Sequence, residues 1–107
     1  MKELSERSSA EESAAAAREL IEFRTVARRD RMLGRWAAGL MGLPAEAVEP
    51  YAQSVAAADL DEGGEDDVFY KVAFDLQRAG IAMSDERLRR KMELLLDVAR
   101  SEIEADA

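Results

Sequence analysis

The chain has 107 residues, with 15 lysines and arginines against 23 aspartates and glutamates, for a net charge of −8. That length suits one domain burying about two-thirds of its unfolded surface, and the acidic balance argues against binding nucleic acid or an acidic membrane surface. With neither cysteine nor histidine, disulfides, thiolate chemistry, serine–histidine triads and most zinc sites are excluded, so an enzyme is not expected.

Hydrophobic periodicity is helical almost throughout, and no strand-like alternation survives more than a few residues. The opening stretch "MKELSERSSAEESAAAARE" holds alanines and charges but almost nothing large to bury. A helix can start at Ser8 or Ser9, where Ser9 and Glu12 make a capping box, and run to Leu40–Met41 with Gly42 as its stop. Taken whole it would be about 50 Å long, against roughly 22–30 Å for the helices that follow. Residues 1–18 are therefore expected to form a flexible arm, disordered or frayed, beside a four-helix bundle of residues 19–107. The run Ala14–Ala17 gives that arm enough helix propensity to become helical on a partner. Apolar residues begin in earnest at Leu20, followed by Phe23, Ala27, Leu33, Trp36, Ala37 and Leu40, with Trp36 expected as the central anchor.

A second helix should begin near Pro44, a good first-turn residue, and reach about Asp61. Pro50 removes one backbone donor inside it, so a kink or a late start near Glu49 is expected. The stretch "DLDEGGEDDVFY", Asp59 to Tyr70, then packs six acids around two glycines. As a calcium loop it fails on ligand count: Gly63 at the fifth place has no side-chain oxygen, and Tyr70 at the twelfth cannot chelate. It reads as an acidic turn, with Glu65, Asp66 and Asp67 at the positive end of a third helix that runs to Ala79 and stops at Gly80. The fourth helix is capped by Ser84 and runs from Asp85 to about Glu104. Core stripes follow at helical spacing: Tyr51, Val55 and Ala58; Phe69, Val72, Ala73 and Leu76; Leu88, Met92, Leu95, Ala99 and Ile103. Met32, Met41, Met83 and Met92 read as gap-filling core. The fold class expected is all-α. No apolar run approaches a membrane span and no signal peptide is visible, so a cytoplasmic protein without direct membrane insertion is expected.

Arg24, Arg28, Arg31 and Arg35 fall at i, i+4, i+7 and i+11, which puts four guanidiniums on one helical face. Something negative should lie nearby. It is either internal, with the acids of Asp59 to Asp67 folding over the stripe or solvent screening it, or an anionic partner. The partner could be an acidic protein face or the phosphates of ATP or ADP. No cofactor or metal is implied.

The residues themselves go further. "EFRTVARRDRMLGRWAAGLMGL", residues 22–43, resembles the signature of the zeta subunit, the ATPase inhibitor of alphaproteobacterial F-type ATP synthases. The resemblance continues through "YAQSVAAADLDEGGEDDVFYKV" and "SDERLRRKM", covering about residues 18–104, and Arg28 to Ala38 is its most specific part. It implies a four-helix bundle that docks on the catalytic head of the synthase, peripheral to the membrane. It also implies an N-terminal arm that enters a catalytic interface and blocks rotation in the hydrolysis direction.

The arm is where the chain departs from that family. Glu6–Arg7 falls where the family has an acidic-Arg pair. The family arm then carries phenylalanines and a lysine, where this one has Glu11, Ala14 and Ala15. An inserting helix gains most of its affinity from a few aromatic or Arg anchors, and two lost phenylalanines forfeit about 3–6 kcal/mol of burial. The expectation is a protein that binds the head through its bundle and inhibits weakly or not at all. Tyr70 and Phe74 also stand off the third helix's core stripe, where the family tends to place charge. They either pack under the arm or mark a contact surface. The alternative function is a binding module of the same family with an altered target, sensing a nucleotide through the arginine stripe.

Overall fold

The computed structural model of the protein describes residues 2–62 and 64–106, with the backbone alone at 2–8 and 60–62. Four helices follow one another: α1 (Lys2–Met41), α2 (Ala45–Glu62), α3 (Glu65–Arg78) and α4 (Asp85–Asp106). α1 packs against each of the other three, and α3 closes the bundle against α2 and α4.

Helix ends follow the punctuation of the sequence. Gly42 (φ 69°) and Gly80 (φ 76°) take the left-handed conformation that stops a helix without the steric penalty of a side chain. Behind them Leu43 N–H bonds to the Ala38 carbonyl at 3.0 Å, and Ile81 N–H to that of Leu76 at 2.9 Å. The Ser84 hydroxyl accepts from Arg87 N–H at 3.2 Å and caps α4. One expectation fails. Ser9 caps nothing, because α1 is an unbroken helix of 40 residues from Lys2. Of the two alternatives for α2 the late start near Glu49 is ruled out, since the helix starts at Ala45 and runs through Pro50. Pro50 sits on an exposed face, where the carbonyl that its missing N–H leaves unpaired can turn to water.

The molecule measures 64 × 24 × 22 Å, and its long axis matches α1, about 60 Å at 1.5 Å per residue. From Ser9 to Arg18 the side chains are exposed apart from a half-covered Ala15. Burial on α1 starts at Thr25, not at Leu20: Leu20 is 49 % and Phe23 58 % exposed, and Leu40 at the far end is 39 % exposed. The core gathers Leu33, Ala37, Val55, Val72, Leu76, Leu88 and Met92, and Trp36 packs only against its edge. Trp36 is therefore not the central anchor.

Small residues explain why. A Cβ on Gly34 would lie 2.6 Å from the Ala52 Cα and 3.3 Å from Val55 Cγ2, so α1 and α2 touch almost backbone to backbone, and a large ring has no room between them. Gly34→Ala is expected to cost about 2–3 kcal/mol and lower Tm by roughly 10–20 °C, because backbone cannot rotate away as a side chain can. Thermal melts check this; a Tm within two degrees of the parent would show that the two helices can separate freely. Next to Ala52 on α2, the Tyr51 hydroxyl donates to Asp75 Oδ2 at 2.8 Å. Lys71 reaches the same oxygen at 3.1 Å. Burial, with the Asp75 carboxylate adding to it, pushes the Tyr51 hydroxyl well above its ordinary range, so this bond clips α2 to α3 at any physiological pH.

Candidate functional site

Among the described residues the arginine stripe is met by carboxylates from α2 and from α4. Arg35 makes a paired contact with Glu49 of α2, at 2.7 and 3.1 Å. That hydrogen bond holds Glu49 below the usual carboxylate range, with the Arg31 charge contributing. Arg28 faces α4, 4.0 Å from Glu102 and 3.5 Å from Asp106. Arg24 is exposed, and lines a shallow cleft with Phe23, Arg28, Arg31 and Ile103. The four guanidiniums share a face, as spacing predicts, but two are already engaged by the protein's own carboxylates.

The acidic turn serves other cations. Glu65 lies 3.4 Å from Arg29, and Asp66 lies 3.2 Å from Arg89, whose guanidinium stacks on the Phe69 ring at 3.9 Å. The side chains of Asp61 and Glu62 lie outside the described residues, as do those of Glu6 and Arg7. Glu11 and Ala14 are fully on the surface of α1, and Ala15 partly so. Glu11 and Ala15 are one turn apart and share a face. Tyr70 (63 % exposed) and Phe74 (57 % exposed) point to solvent rather than packing under the arm.

Sequence reasoning missed a buried polar knot. Arg29 is 2 % and Asp30 1 % exposed, with Thr25 fully buried beside them. Arg29 Nε donates to Asp30 Oδ1 at 2.8 Å. Asp30 Oδ2 finds no donor, because the group facing it is a second carboxylate, Asp59 of α2. A proton on Asp30 resolves the clash by letting its carboxyl donate to Asp59. Burial pushes the Asp30 carboxyl up to about 7, with Asp59 adding to the rise and Arg29 opposing it. Folded Asp30 thus holds its proton more tightly than unfolded Asp30. That stability is fully present below the ordinary value of 3.8 and is lost as pH rises through about 7. Between pH 5 and pH 8 this group should cost about 2–3 kcal/mol. Urea unfolding across that range should show the decline in the natural protein and a flat profile in Asp30→Asn. Asn can accept from Arg29 and donate to Asp59 without titrating. Parallel profiles would place the titration elsewhere.

A second missed feature lies between α1 and α4. A cleft of about 460 Å³ is walled by Trp36, Arg87, Arg90, Lys91 and Leu94, and the Lys91 ammonium sits 5.3 Å over the indole. Among the described residues no three acids cluster as a metal site would need, and no helix is long and apolar enough to cross a membrane.

Comparison with known proteins agrees with the fold. The sequence model of the family described as ATPase inhibitor subunit zeta matches residues 1–102. A protein structure solved by NMR in solution is 31 % identical and superposes with a TM-score of 0.69, covering 81 % of this chain and 99 % of that one. No curated protein matches the chain.

Proposed function

The chain belongs to the ATPase inhibitor subunit zeta family, and from that premise we propose that it is a regulatory subunit of an F-type ATP synthase. It binds the catalytic head through its bundle and carries the arm of α1 into a catalytic interface, where the arm opposes ATP hydrolysis as a steric wedge. The protein performs no chemistry of its own. The observation that carries this reading is the single helix Lys2–Met41: the arm is joined to the bundle without a hinge, so binding the bundle also aims the arm. At the root of the arm Leu20, Ile21 and Phe23 stand 49, 40 and 58 % exposed, apolar surface that a partner would cover.

Inhibition is weak in this reading. Glu11, Ala14 and Ala15, on the surface of α1, offer a partner no aromatic or Arg anchor and return little on docking. Pull-down with the purified catalytic head tests the proposal. The full chain and a form lacking residues 1–18 should both bind at low micromolar concentration, and only the full chain should slow hydrolysis. Absence of binding by either form would end the proposal.

A further inference from the structure

The cleft between α1 and α4 is cationic in a protein that carries a net charge of −8. Its Arg87, Arg90 and Lys91 pair with no carboxylate among the described residues, whereas Arg28, Arg29, Arg35, Lys71, Arg89 and Arg100 each do. Cations three and four residues apart repel one another along a helix. Arg87 also lies in the first turn of α4, whose positive end disfavours a cation. Within the free protein the grouping gains only the contact of the Lys91 ammonium with the indole. Beside the charges the same face turns apolar: the edge of Trp36, then Leu94 (55 % exposed) and, one turn on, Val98 (40 % exposed). Arg and Trp at a concave site are the residue types that dominate protein interfaces.

The geometry points to this cleft as the docking site for a segment of the catalytic head that presents carboxylates next to an apolar side chain. The assignment rests on the proposal that the chain binds that head, and names where and by what chemistry it does so. Guanidiniums take the carboxylates in paired hydrogen bonds, and the apolar residue covers Trp36 and Leu94. A nucleic acid is disfavoured, since an extended polyanion meets the repulsion of the whole acidic surface. A short acidic segment feels mainly the local field.

Two double variants with the same change in net charge separate local from long-range effects. Arg87→Gln/Arg90→Gln removes the cleft's charge, and Ala45→Glu/Gln53→Glu adds the same charge at exposed positions on α2. Affinity of the full chain for the cognate catalytic head should fall at least tenfold in the first and less than threefold in the second, with Tm unchanged in both. Trp36 is the sole tryptophan, so 5-fluorotryptophan labelling gives one fluorine resonance from the cleft, which should shift when the head is added. Equal losses in both variants, or head binding that leaves the resonance and the Arg variant's affinity unchanged, overturn the assignment but not the proposed function. A resonance that moves with phosphate or ATP alone and not with the head makes the cleft a small-anion site and also overturns it. If the head does not bind the natural chain at all, both fall together.

Discussion

Replacing Glu11 and Ala15 by phenylalanine is expected to lower the concentration that half-inhibits ATP hydrolysis by an order of magnitude or more. The two positions lie one turn apart on the exposed surface of α1, so both rings would project from the same face. Burying two phenylalanines is worth about 3–6 kcal/mol. Even half of the lower figure, about 1.5 kcal/mol, is about a tenfold change in affinity. The bundle would be untouched, because no core residue comes from this part of the helix. Hydrolysis assays with the cognate enzyme should rank the two-Phe form above the natural protein, and that above the form lacking residues 1–18. Strong inhibition by the natural protein, abolished by removing the arm, would show that anchoring comes from residues other than these.

The largest expected effect on stability comes from Arg29→Ala, a loss of about 3–5 kcal/mol. The substitution strips the cation from a site that still holds Asp30 against Asp59, and it also empties the volume of a side chain that is 2 % exposed. Against a total of about 5–15 kcal/mol for an ordinary domain, such a loss would lower Tm by roughly 15–30 °C. Much of this is the cost of leaving charge unpaired rather than the worth of the pair. Arg29→Met with Asp30→Leu removes both charges while keeping volume, and should recover most of the loss. Denaturant midpoints decide the matter. A double variant no better than Arg29→Ala would mean that packing, not electrostatics, makes Arg29 matter.

Sequence alone carried the architecture a long way, and its failures have physical causes. Gly42, Gly80 and Ser84 mark ends that only particular residues can make, and they were legible for that reason. Ser9 and Glu12 form a cap in one context and sit comfortably mid-helix in another, so the start of α1 was not. Trp36 is not the centre that the sequence suggests, because the centre is where Gly34, Ala37 and Ala52 let two backbones meet. Arg29 and Asp30 are charged residues that turn out buried, although the sequence does carry a signal. Stepping back by four from Ala37 and Leu33 lands on Arg29 and then Thr25, and stepping forward by four from Val55 lands on Asp59. The partners of the arginine stripe could not be read: Glu49, Glu102 and Asp106 come from separate elements and meet Arg35 and Arg28 only through packing.

The unbroken course of α1 locks the azimuth of the arm to that of the core. Each residue advances a helix by about 100° and 1.5 Å. One residue inserted between Arg18 and Thr25 would therefore swing the face bearing Glu11 and Ala15 through more than a quarter-turn, while Leu33 and Ala37 stayed seated. The same swing follows from a deletion, in the opposite sense. Substitutions along this stretch alter only the surface they occupy, whereas a change of length alters what every residue upstream confronts. In such a subunit the count of residues between core and tip is itself a determinant of action, as binding as their identity.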